Sequence, residues 1–152
     1  MADRRINIAK DKLEFVQELM DTESKGIFKT KADVLTFAAA YGFNKNKKNP
    51  LIEIAKDPVS YSVFENSKYD TFIHLLAMDH AKDAQVLADS DDMIEKRAII
   101  FEEYSNGGLE LLQQELKGQV EYLEPMLLIL LQVSSSEQDD TKKDFDLSSL
   151  SI

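Results

Sequence analysis

The stretch Arg5-Ile6-Asn7-Ile8-Ala9-Lys10-Asp11-Lys12 decides how the front of the chain is read. Polar and apolar residues alternate over 5–8, the period of a short β-strand. The alternation puts Ile6 and Ile8 on an inward face and Arg5, Asn7 and, by its register, Ala9 on an outward one. From Lys10-Asp11 the period changes. Leu13, Val16, Leu19 and Met20 recur every three to four residues, with Phe15 beside them, as on an amphipathic helix ending near Lys25-Gly26. Thr30-Lys31-Ala32-Asp33 then resembles a helix N-cap with an acid three residues on. Val34, Leu35, Phe37, Ala38 and Tyr41 carry the second helix to Gly42.

Strand, helix, Gly-containing turn and helix within about 45 residues resemble the ribbon-helix-helix arrangement. There, strands from two chains pair antiparallel and enter the DNA major groove. A lone strand needs a second copy to pair with, so Ile6 and Ile8 are expected to form a homodimer ribbon. Arg5 and Asn7 would face base edges, since Arg suits guanine and Asn adenine. Backbone amides near Thr30 and Lys31, at the start of the second helix, would meet a phosphate.

Further along, Pro50 to Pro58 reads as irregular or a short strand, and Val59 to Val63 as a strand or an extended linker. Tyr69, Phe72, Ile73, Leu76 and Ala77 form one amphipathic pattern. Met93, Ile94, Ala98, Phe101 and Tyr104 form another, with the acids Asp89, Asp91, Asp92 and Glu95 at its start, where the helix dipole favours them. Asn106-Gly107-Gly108 reads as a break before a helix carrying Leu109, Leu112 and Leu116. A last helix is expected over 119–133, and 134–152 as a disordered acidic tail. The expected fold is mainly α: a short N-terminal strand followed by about five helices. It divides into a strand-helix-helix unit over 1–48, an acidic helical region over 49–133 packed with it, and the tail.

Charge follows this division. The 152 residues carry 18 Lys and Arg against 28 Asp and Glu, a net of −10. Residues 1–48 hold 10 basic and 7 acidic side chains, and 49–152 hold 8 and 21, so nets of +3 and −13 are hidden in the average. An acidic body speaks against indiscriminate coating of nucleic acid. It leaves room for a small basic ribbon at the front and favours a basic protein partner for the rest.

Catalysis finds little support. Cysteine is absent, and His74 and His80 are six positions apart rather than the four of a helical zinc pair. Asp89 to Glu95 fails the calcium-loop spacing, with Met93 and Ile94 at the fifth and sixth positions. Glu102 and Glu103, adjacent on a helix, point about 100° apart. We expect no catalytic residue, no metal and no cofactor. Neither a signal-peptide core nor a run of about 20 apolar residues is present, so a cytoplasmic protein is expected. In Phe101-Glu102-Glu103-Tyr104-Ser105-Asn106-Gly107-Gly108 the acids and Asn106 could bind a partner's Arg or Lys, but core packing by Phe101 and Tyr104 is the preferred reading. Phe145, Leu147, Leu150 and Ile152 alternate with acid and serine, either as a docking motif that folds onto a partner or as a solubilising tail.

Several segments together resemble the Dnd (DNA phosphorothioation) system-associated protein 4 family. They are Arg5 to Lys12, Gly26-Ile27-Phe28-Lys29-Thr30, Phe37-Ala38-Ala39-Ala40-Tyr41-Gly42-Phe43 and Ile99 to Leu109. The resemblance spans roughly 4–116, and its specificity lies in the order of the segments. It implies bacterial anti-phage defence beside phosphorothioate modification and restriction, and supplies no catalytic residues. The expected function is a non-enzymatic accessory protein binding other components of that system, and DNA with them. The alternatives are a ribbon-helix-helix regulator, or an acidic adaptor or DNA mimic docking on a basic partner.

Overall fold

The computed structural model describes residues 4–21, 23 and 25–144, with side chains through 135. Six α-helices make up most of it: α1 Leu13–Met20, α2 Lys31–Asn44, α3 Tyr61–Asn66, α4 Asp70–Ala81, α5 Asp91–Leu116 and α6 Leu123–Asp144. Single 3-10 turns at Lys10–Lys12 and Ala84–Leu87 lead into α1 and toward α5. None of these helices is long and apolar enough to cross a membrane.

The expected N-terminal strand is absent, and with it the ribbon-helix-helix unit. Among the described residues only two isolated antiparallel bridges occur, Ile6 with Val59 and Ala9 with Ile54. The front segment pairs inside its own chain. Ile6 both donates to and accepts from Val59 at 2.8 Å, Ala55 N–H donates to the Ile8 carbonyl at 2.8 Å, and Lys10 N–H donates to the Glu53 carbonyl at 2.9 Å. On the segment's other side Asn7 N–H donates to the Glu102 carboxylate at 2.6 Å. Ile6 and Ile8, expected at a dimer seam, are buried in the core. The alternation was read correctly as half-buried extended chain. What it cannot reveal is the partner, and here that partner is residues 53–59.

α5 is the central element, 26 residues and so about 39 Å long. Ser90 caps it by accepting from Met93 N–H at 3.4 Å, and Asp91 and Asp92 occupy the first turn, where the helix dipole favours acids. The helix runs unbroken through Asn106-Gly107-Gly108, so the expected break there is wrong. No residue of this triplet has positive φ. The glycines supply room instead of a turn. A Cβ on Gly108 would lie 2.6 Å from the Ala38 carbonyl carbon, one on Gly107 2.7 Å from that of Lys47, and one on Gly42 2.9 Å from Gly108 N. α2 and α5 therefore touch backbone to backbone, with Ala38 and Ala39 fully buried between them. Ser105 Oγ donates across the contact to the Leu35 carbonyl at 3.0 Å.

The rest packs around this pair. Thr30 caps α2 as expected, accepting from Asp33 N–H at 3.1 Å. Phe101 meets Phe64 of α3 edge-on at 5.4 Å between centroids and Phe72 of α4 at 6.5 Å, an arrangement the ring quadrupoles favour. Buried Arg97 holds the 3-10 turn before α5, donating to the Val86 and Ala88 carbonyls at 2.6 and 2.8 Å. Val59 to Val63 divides between a bridge and the start of α3. α6 docks through buried Tyr122, Met126 and Ile129. It continues to Asp144, past Ser134 where the composition becomes polar, which corrects the expected disorder up to that point. Phe145, Leu147, Leu150 and Ile152 lie outside the described residues. One core cluster draws on both the basic front and the acidic remainder.

His80 lies in the α4–α5 seam, its Nδ1 3.0 Å from Tyr104 Oη and its Nε2 3.3 Å from Lys48 Nζ. Burial, then Lys48 and Lys96, lower its pKa below 6.5, against the opposing pull of Glu103 and Asp79. The unfolded chain therefore takes up the proton first as pH falls. The stability His80 contributes is present above pH 6.5 and is lost as pH drops below it toward the folded-state pKa. Thermal melts at pH 7.5 and 5.5 should show a larger drop for the native chain than for His80→Gln. Gly108→Ala should cost about 3 kcal/mol in urea unfolding, because neither backbone can retreat freely. Gly118→Ala, at φ 81° with open space around it, should cost about 1 kcal/mol.

Candidate functional site

The pinned front segment makes one wall of a surface cleft of about 800 Å³. Arg4, Arg5 and Asn7 line it from the front segment. Pro50, Leu51, Ile54 and Pro58 come from the strap that pairs with that segment. Asp91, Ile94, Glu95, Ile99, Glu102 and Glu103 come from α5. Spacing on the helix explains the α5 contribution. Asp91, Ile94 with Glu95, Ile99, and Glu102 with Glu103 recur every three to four residues, so one face carries acids and isoleucines together along the cleft.

Glu102 organises the wall. It is buried, and its two oxygens accept from Arg4 Nη1 at 2.7 Å, Arg4 Nη2 at 3.0 Å and Asn7 N–H at 2.6 Å. Arg4 also reaches Glu95 through Nε at 2.6 Å and donates to the Arg5 carbonyl. The hydrogen bond to Glu102 raises the Arg4 pKa, burial opposes the rise and Glu95 adds to it, so the guanidinium stays charged at every usable pH. Glu103 faces Lys48 at 3.7 Å. Arg5 and Asp91 make no ion pair among the described residues. Two arginines against four carboxylates give the lining an acidic balance, while its floor of proline, leucine and isoleucine is apolar. Ile54 and Ile99 are 53% and 40% exposed there, and Ile52 on the same strap is 93% exposed.

The residues expected to touch DNA are not brought together. Arg5 and Asn7 do sit side by side at the cleft. Thr30 and Lys31 do not line it, and the Thr30 hydroxyl is occupied as the α2 cap. Sequence reading missed Arg4, Glu95 and Glu102 as a unit, since 98 residues separate Arg4 from Glu102. The one available signal was an acid directly after the apolar run Ala98-Ile99-Ile100-Phe101.

A smaller recess of about 400 Å³ lies on the other side of Pro50, lined by Lys12, Asn49, Asn106 and Glu110 among others. Asn106 Nδ2 reaches the Asn49 and Pro50 carbonyls at 3.3 Å, and Asn49 Nδ2 donates to Glu110. These contacts hold the strap's entry on α5, so Asn106 ties the chain together at the place where the sequence suggested a partner's cation.

Glu102→Ala should destabilise the fold by about 2–3 kcal/mol in urea unfolding, since it strands a buried N–H and half-buried Arg4. Glu95→Ala, at a half-exposed position, should cost under about 1 kcal/mol.

No curated protein and no solved structure matches the chain. A family model does, over residues 5–150, beyond the stretches quoted from the sequence and including α6. Its match from the pinned segment through the last helix shows that the chain belongs to the DNA sulphur modification system-associated protein 4 family.

Proposed function

We propose that this chain is a non-enzymatic accessory protein of bacterial phosphorothioation-linked anti-phage defence, working in the cytoplasm by binding another protein of that system. The observation that carries the reading is the cleft between the front segment and α5: an apolar floor, exposed isoleucines and an acidic balance. Such a surface suits a partner segment with an aliphatic anchor flanked by Lys or Arg. Apolar contact would supply affinity, and the carboxylates orientation and encounter rate. The polar groups at the cleft support binding over chemistry, because Arg4 and Glu102 are committed to each other and to the backbone.

Direct DNA contact is the second reading, and one observation favours it: Arg5 and Asn7 flank the cleft without side-chain partners among the described residues. Against it stand the four carboxylates of the same lining, since phosphate neutralisation provides most DNA affinity.

Co-expression with each other component of the system should yield one that co-purifies with the chain in DNase-treated extract. Ile54→Arg combined with Ile99→Arg should abolish that capture with an unchanged melting temperature. Capture that survives both substitutions, or no component captured at all, would sink the cleft reading. A mobility shift lost in Arg5→Ala with Asn7→Ala would instead support DNA contact.

A further inference from the structure

α6 carries two apolar faces, and the body uses one. Tyr122, Met126 and Ile129 are buried against the core, while Leu123, Leu127, Leu128, Leu130 and Leu131 are 53%, 50%, 55%, 46% and 63% exposed. At 100° per residue Leu123, Leu127, Leu130 and Leu131 fall within about a 100° arc, a continuous stripe away from the packed face, with Leu128 at its rim.

We infer that this stripe is a homodimer interface, formed by a second copy of the chain whose α6 lies antiparallel across the first. Three observations select a second copy. Leu123, Leu127 and Leu131 recur every four residues, so a two-fold axis at Leu127 sets Leu123 against Leu131 of the second copy and Leu127 against Leu127, the self-complementary pattern an isologous contact requires, with Leu130 opposite Glu124 at the edge. The area suffices. Five leucines each about half exposed offer on the order of 500 Å², the size of the largest patch on a typical monomer. Two copies together bury on the order of 1,000 Å², the level a specific interface must clear. The charge also fits. Between Leu123 and Ser135 Glu124 is the one ionisable side chain, in a chain of net charge −10, so two copies meet here with little self-repulsion. This interface is distinct from the front segment, whose backbone is already paired, and it leaves the cleft beside Arg4 open.

Sedimentation of the full chain should show a mass rising from 17.3 kDa to twice that value with concentration. Leu127→Glu should hold the mass at the monomer value with an unchanged melting temperature, since position 127 is half exposed in the isolated fold. The chain has no cysteine, so Leu127→Cys introduces a single thiol at the axis and should cross-link two copies on mild oxidation. Leu123→Cys should not, because antiparallel pairing offsets the two sites by about 12 Å along the helix, beyond disulfide reach. A monomer at every concentration, or a dimer that persists in Leu127→Glu, would overturn the proposal. Cross-linking through position 123 but not 127 would overturn the register.

Discussion

The structure depends on the approach of α2 to α5. Helices usually stand 8–10 Å apart because side chains hold them there. Here Gly42, Gly107 and Gly108 remove the side chains where the axes cross, and the Ala38 and Lys47 carbonyls fill the space a Cβ would take. Three glycines in regular helix cost on the order of 1 kcal/mol each against alanine. Close packing over Ala38 and Ala39 and the Ser105–Leu35 hydrogen bond offset that cost. The crossing then fixes everything that leans on α5: the aromatic stack on Phe101, the turn held by Arg97, and the acid-lined wall of the cleft.

The same helix solves the problem of the front segment. An extended segment with unpaired backbone on both sides is costly to bury. The strap over 53–59 satisfies one side and Glu102 reaches out from α5 to satisfy the other. Glu102 in turn tolerates burial because Arg4 neutralises it. The proposed binding surface is thus built on a structural ion pair, with Ile54 and Ile99 exposed beside it.

Local chemistry was legible in the sequence. Thr30 stands where a cap belongs, Asp91 and Asp92 mark the start of α5, the 3.6-residue periods locate α2, α4 and the first half of α5, and the alternation of 5–8 marks extended chain. What failed was anything that required knowing what a residue faces. Asn106-Gly107-Gly108 has turn composition, yet a glycine needed for positive φ and one needed for close approach look identical without the opposing helix. Arg5-Ile6-Asn7-Ile8 has strand alternation, and only residues 53–59, about 50 positions away, distinguish an intramolecular bridge from a ribbon between chains. Ser134 to Asp144 has a disordered composition, and helix continues through it from the apolar half of α6. The cleft was half legible: Arg5 and Asn7 were singled out for the right exposure, while the carboxylates that reverse the local charge come from far along the chain.

The pinning of the front segment also sets an order of assembly. Arg4 and Glu102 are separated by 98 residues, so at roughly 5–20 residues per second a ribosome adds Glu102 about 5–20 s after Arg4. The strap over 53–59 follows Arg4 by about 50 residues, and Glu102 follows it by 98, so Ile6, Ile8 and the backbone around them are made before either partner exists. The segment that later forms the wall of the cleft is thus made well before the elements that bury it. The docking of Arg4 onto Glu102 closes that exposure.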